Sequence, residues 1–303
     1  MCVSNKEVFS DLIKPVNTPG IMTENAYPTI GDIGKALEAW APRDSAQEYD
    51  NVGLQVGDAR RAVTRALIAL DLTPAVLAEA KQHEATLIIT HHPLLFHPLR
   101  SVTADGFVSS LALRLAEAGI ALYSIHTNLD AALGGVSFAL ADLLDLEDIR
   151  FLDPFGNEAP GDPSNAQTGL GALGRLDPPM PLSAFLQRVA ERLQAGSLRY
   201  AGDLDATLET VAVCGGSGSS FTGQALRAGA DAYVTADVTY HRFFDVLDTD
   251  GQPRMALIDA GHYETEALTE SLLCDWLRRR FPTVDWRRTE TRTSPMKTFI
   301  PEG

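Results

Sequence analysis

Short apolar runs, each broken off by a polar and ligand-bearing end, govern what this chain can fold into. They are ATLIITHHPLLF with His91 and His92, ALYSIHTNLDAA with His126 and Asp130, and ALIDAGHYETEA with His262 and Glu266. Apolar runs this short, bounded by turn signals, read as buried strands. Helix-start signals stand between them: Thr73-Pro74 ahead of AVLAEAK offers an N-cap and a proline at the first helical position. Strands alternating with helices make an α/β fold, a mostly parallel sheet with helices on its faces.

The pattern predicts a helix over 33–40 with Asp32 as its cap, then a Gly-punctuated loop or edge segment, EYDNVGLQVGD. A strand over 63–72, a helix to 81, a strand over 86–90, a helix over 104–118, a strand over 121–125 and a helix over 136–144 follow. Residues 151–170, FLDPFGNEAPGDPSNAQTGL, are rich in Pro, Gly, Asn and Asp and read as a linker. Beyond it come a helix over 182–193, a strand over 211–214, a Gly-rich turn, a helix over 224–228 and a strand over 232–235. The chain closes with a strand over 256–258, a long helix over 263–280 and a strand over 297–300. The expected organisation is an N-terminal extension (1–30), a first α/β domain (31–150 plus 254–303), a linker (151–170) and a second α/β domain (171–253). Segments 63–97 and 208–242 share the order strand, turn, helix, strand and polar end, a weak internal repeat of two related units.

Charge and cysteine content exclude some function classes. The net charge of -15 disfavours nucleic-acid binding through a basic face. Three cysteines far apart, Cys2, Cys214 and Cys274, fit free thiols in a reducing compartment. No apolar run has the length of a membrane helix, and the first 30 residues lack the marks of a signal or transit peptide, which points to the cytoplasm. Met22 is an alternative start.

Strand ends of an open α/β sheet are where functional groups gather. A strand alone would send His91 and His92 to opposite faces, so the strand has to end at Thr90, and Pro93 helps to force that. His126 and Asp130 lie four apart across a turn; His262 and Glu266 lie one helical turn apart. A lone buried histidine is more often a satisfied core residue than a ligand. Three pairs at equivalent strand ends point to metal. Four imidazoles and two carboxylates exceed what one ion takes and suit two divalent ions per subunit: zinc, iron, manganese, cobalt or nickel. CGGSGSS (214–220) reads either as an anion nest before a helix or as a tight turn. Asp237, Tyr240 and His241 end another strand; Asp237 and His241 are the candidates for acid–base work, with packing or capping as the alternative. His83 reads as solvated, and His97 as near the site or in the core. Glu48, Asp50 and Asn51 read as turn formers.

Five motifs, EYDNVGLQVGD, ITHHPLLF, HTNLDAA, GGSGSS and DAGHYETE, in this order and from about residue 30 onward, resemble the GTP cyclohydrolase 1 type 2 homolog family, the NIF-three-like proteins. The resemblance implies two similar α/β domains with mostly parallel sheets, assembled as a toroidal homohexamer, a trimer of dimers. It implies a dinuclear metal site held by His91, His92, His126, Asp130, His262 and Glu266, with Glu266 bridging. Ala236 departs from the glycine usual in relatives, and the linker is too short for the inserted domain that some carry. Two functions follow. One is a metal-dependent hydrolase acting on a nucleotide or other phosphorylated small molecule, with His241 or Asp237 moving a proton. The other is a metal-handling or regulatory scaffold that binds protein partners.

Overall fold

Residues 27–155 and 167–299 are described by the computed structural model. The expected N-terminal extension up to residue 26, the middle of the linker and residue 300 lie outside them. The chain divides into two compact units, one of residues 27–129 with 269–293, the other of residues 130–268 with the segment from 294.

The first unit is built on β1 (Gly53–Val56), β2 (Arg65–Ala69), β3 (Leu87–Thr90), β4 (Ala121–Ser124) and β11 (Asp285–Arg288), in the order β1-β4-β3-β2-β11. All pairs are parallel except β1 with β4, so EYDNVGLQVGD supplies an antiparallel edge strand. Helices α2 (Pro74–Gln82) and α3 (Phe107–Ala118) pack Val76, Leu77, Leu111 and Leu115 against Leu67, Ile88 and Leu122 of the sheet. Each such side chain, taken fully from water, contributes about 1.5–3 kcal/mol. Thr73 accepts from the Val76 N–H and caps α2 as its sequence predicts. Helix α1 (Ile30–Trp40) begins earlier than expected, because Thr29 is its N-cap and Asp32 serves as the reciprocal partner of a capping box. It lies against Tyr123 of β4, whose hydroxyl donates to Glu38 at 3.1 Å, and Trp40 stacks on Trp276 at 5.1 Å.

Trp276 belongs to α9 (Leu268–Arg280). The single long helix expected over 263–280 is in fact two, α8 (His262–Glu266) and α9, broken at Ala267. No strand forms over 297–299; among the described residues the last strand is β11, whose charged DWRR sequence hides its role at a sheet edge.

The second unit holds α5 (Val136–Leu143), β5 (Glu147–Pro154), β6 (Gly169–Pro181), α6 (Leu182–Leu193), β7 (Arg199–Ala201), β8 (Thr207–Val213), α7 (Thr222–Arg227), β9 (Ala232–Thr235) and β10 (Ala256–Asp259). Its sheet order is β5-β6-β8-β9-β10-β7. Only β8-β9 and β9-β10 pair in parallel, so this sheet is mixed, not mostly parallel. Both faces are covered. Val211, Val213, Val234 and Ile258 face Phe138 of α5 and Phe185 of α6, while Ala212, Tyr233 and Leu257 face Ala225 of α7 and Met255. Burial on both sides explains why these strands read as unbroken apolar runs. The two repeated segments form equivalent strand–helix–strand units, β2-α2-β3 and β8-α7-β9, each with its strands adjacent and parallel.

Candidate metal centre

In the first unit the parallel β2, β3 and β4 end on one edge, and Asp71, His91-His92 and His126 follow them there. β3 stops at Thr90 as its sequence requires. Its hydroxyl donates to the His92 carbonyl at 2.8 Å and lies 3.0 Å from the Ser124 hydroxyl, while the His92 N–H bonds the Leu70 carbonyl at 3.0 Å. This turn brings the two histidines together, with ring centroids 5.2 Å apart and His126 at 5.2 and 5.4 Å from them. One donor atom from each ring lies within 4.8 Å of the others.

Every one of these rings is held through Nδ1. His91 meets the Ile125 carbonyl at 2.8 Å, His92 the Asp71 carboxylate at 2.7 Å, and His126 the Asp50 carboxylate at 2.9 Å. A ring nitrogen facing a carbonyl or carboxylate carries the proton, so the lone pair sits on Nε2, the tautomer that a metal ion needs. The Asp50 side chain is fully buried. Burial alone would raise its pKa, but hydrogen bonds from His126 and from the Thr127 hydroxyl and N–H outweigh that and hold it well below the usual carboxylate range.

The second unit presents its own set. His262 and Glu266 begin and end α8, and His262 Nε2 lies 3.0 Å from Glu266 Oε2. Two ligand atoms on one ion are separated by about 3 Å, so this pair fits shared coordination. His262 Nδ1 is 2.7 Å from Asp237 Oδ2, and Asp237 holds a left-handed backbone (φ 54°) to place it there. A carboxylate oxygen of Asp130, from the end of α4 (Thr127–Asp130), lies within 4.8 Å of one of Glu266. Burial first, then the charge of Asp130, with Glu266 adding to it, pushes the Cys214 thiol up to about 12.

CGGSGSS packs against this set, and two of its glycine N–H groups are bonded within the protein. The Gly216 N–H donates to the Thr265 hydroxyl and the Gly218 N–H to the Thr235 hydroxyl, both at 3.0 Å. A Cβ on Gly216 (φ 60°) would overlap Glu266 Oε1, so glycine is required where the loop closes over that carboxylate. The donor chemistry of both sets, imidazoles with fixed tautomers and buried carboxylates, fits a divalent transition metal.

Other sequence candidates are placed differently. His241 lies exposed on the short 3₁₀ turn Tyr240–Phe244, its ring against Tyr240 at 5.3 Å. His83 accepts from Arg287 at 2.9 Å, and His97 stacks edgewise on Phe96.

A model of the Duf34/NIF3 family (NGG1p interacting factor 3) matches residues 28–295. The chain belongs to the Duf34/NIF3 family. The GTP cyclohydrolase 1 type 2 homolog of Streptomyces coelicolor is 39% identical over 79% of this chain and 82% of its own length. That of Lactococcus lactis is 35% identical over 88% and 98%. Among solved structures, a Bacillus cereus protein related to NIF3 superposes with a TM-score of 0.82 at 25% identity, covering 91% of this chain and all of its own.

Sequence reasoning missed Asp71 altogether in this Duf34/NIF3 chain. The signal was available: VTRALIALDL places an aspartate just past a strand beside the one that carries the histidines. Asp50 reads from the sequence as a turn former, and the fold places it behind His126.

Proposed function

We propose that this chain is a dinuclear divalent-metal hydrolase acting on a nucleotide or other phosphorylated small molecule. The observation that carries the reading is the His91, His92 and His126 cluster with every Nδ1 tied back. Following the ligand set that the family resemblance implies, His91, His92, His126, Asp130, His262 and Glu266 hold the ions. When bound, such ions polarise a phosphoryl or carbonyl oxygen and lower the pKa of water. Asp50, Asp71 and Asp237 orient the imidazoles, and Glu266 is the bridging candidate. The names of the relatives favour a nucleotide. So do Tyr49 and Phe96, exposed and 6.0 Å apart, with the Phe96 ring 6.3 Å from His126: they offer a base a surface to stack on. A toroidal hexamer and a cytoplasmic setting belong to the same proposal. Among the described residues, no helix is long and apolar enough to cross a membrane.

A second reading, a metal-handling or regulatory scaffold, gains support from the engagement of Asp50, Asp71 and Asp237 with histidines, which leaves the exposed His241 as the remaining proton carrier among the sequence candidates. Elemental analysis of the wild type beside His126→Ala and Glu266→Ala, with a screen of nucleoside triphosphates for metal-dependent hydrolysis, separates the readings. Hydrolysis is expected from the wild type, with loss of metal and at least a hundredfold loss of rate, about 2.7 kcal/mol, in the variants. Metal without turnover favours the scaffold. No metal, even after reconstitution, rejects both.

A further inference from the structure

Past β11 the chain stays bound to the first unit. The Thr289 N–H bonds the Ile68 carbonyl at 2.8 Å, and the Glu290 N–H bonds Glu79 Oε1 at 2.9 Å. Thr289 and Thr291 both donate their hydroxyls to Glu79 Oε2 on α2. Thr293, 7% exposed, donates to Asp71 Oδ2 at 2.6 Å. The sequence Thr-Glu-Thr-Arg-Thr over 289–293 has a threonine at every second position, and the three hydroxyls meet two carboxylates.

Asp71 is therefore held from both ends. Oδ1 takes the His92 imidazole at 2.7 Å and Oδ2 takes the Thr293 hydroxyl. The same device occurs at the neighbouring ligand. Asp50 gives Oδ1 to His126 and Oδ2 to the Thr127 hydroxyl. Two histidines of one cluster thus share a chain of imidazole, carboxylate and threonine hydroxyl. In one the threonine is next in sequence to its histidine. In the other it arrives from about 200 residues away, where no motif marks it.

We propose that Thr293 is a positioning residue for His92, acting through Asp71, so that residues 289–293 form a strap that sets the metal affinity of the three-histidine cluster. The proposal rests on the reading of His91, His92 and His126 as metal-binding. A second hydrogen bond, from the hydroxyl of a β-branched residue that is itself stiff about χ1, restrains the side-chain torsions of the aspartate further. Groups behind metal-bound histidines typically govern tenfold to hundredfold in affinity, and a group one bond further out belongs at the lower end of that range.

The test is zinc affinity of the full chain by chelator competition, in the wild type, Thr293→Val, Thr293→Ser and Thr291→Val, with the visible spectrum of the cobalt-substituted proteins as a second readout. Thr293→Val keeps the shape and loses the donor. It should bind zinc about tenfold more weakly and shift the cobalt bands. Thr293→Ser restores the hydroxyl and should stay within about threefold of the wild type. Thr291→Val, on the same strap but bonded to Glu79, should leave affinity and spectrum unchanged. Equal affinity in Thr293→Val and wild type overturns the proposal, as does an equal loss in Thr291→Val, which would make the strap a general support. If the wild type takes up neither zinc nor cobalt, the metal-binding reading itself fails, and the strap with it.

Discussion

The two strand–helix–strand units of this protein have the same topology and opposite assignments at their ends. In β2-α2-β3 the second strand delivers two candidate ligands, His91 and His92, and the acids that hold the cluster come from elsewhere: Asp71 past β2 and Asp50 before β1. In β8-α7-β9 the second strand delivers the acid, Asp237, and the imidazole comes from His262 on α8. A strand end fixes a position in space. Which half of the histidine–carboxylate pair occupies it is left to the side chains. The turns differ in kind as well. Asp71 and the capped start of α2 follow β2, whereas glycines pressed against Glu266 follow β8.

The hardest blow to this contrast is Gly216→Ala. The left-handed backbone and the overlap with Glu266 together should cost about 3 kcal/mol or more, read by chemical denaturation, with metal lost in parallel. A neutral result would show that the glycine loop is no cradle. Glu270→Gln probes the first unit. Its carboxyl takes the Leu70 N–H at 2.9 Å, and burial, against that bond and Arg288, raises its pKa from 4.5 to about 7. In that range the folded state keeps a proton that the unfolded chain releases. The stabilisation is therefore complete below about pH 4.5 and is lost as pH rises through 7. In metal-free protein the glutamine variant should gain at most about 3 kcal/mol at pH 8 and nothing at pH 4. A pH-independent difference would place the cause in packing.

Asp50→Asn and Asp237→Asn sharpen the comparison directly. Each removes the charge behind one imidazole, and asparagine accepts the left-handed backbone of position 237. Both should weaken zinc binding by tenfold to hundredfold, about 1.4–2.7 kcal/mol, in a competition titration. Loss in only one would show that the two sets are not equivalent. The smallest effect is expected at Cys214. Buried, and with its pKa at about 12, it should stay unalkylated by iodoacetamide at pH 8 in the native protein, by mass spectrometry.

The α/β alternation was legible because apolar strands such as LIIT and AYVT carry their own signature. So were the ligand candidates, since each follows such a strand. β5, β6 and β11 were not legible. Asp, Pro, Gly and Arg fill them, and antiparallel or edge pairing tolerates what a central parallel strand does not. The holding acids escaped for a different reason. Asp50 and Asp71 acquire their meaning only through neighbours 76 and 21 residues away, which no local pattern encodes.

The pairing of β11 with β2 has a consequence for the order of events during synthesis. Trp286 lies beside Ala66 in the sheet, so one edge of the first unit remains open until the ribosome has made about 220 further residues. At about 5–20 residues per second that interval lasts roughly 10–40 s. Strands β2, β3 and β4, which lead to the three histidines, wait through that interval for the strand that completes their sheet. The sheet of the second unit, β5 to β10, has no such gap to bridge and can condense as it emerges. The first unit is therefore completed only after β5 to β10 have been made, and its C-terminal strand is the last piece of its sheet to be placed.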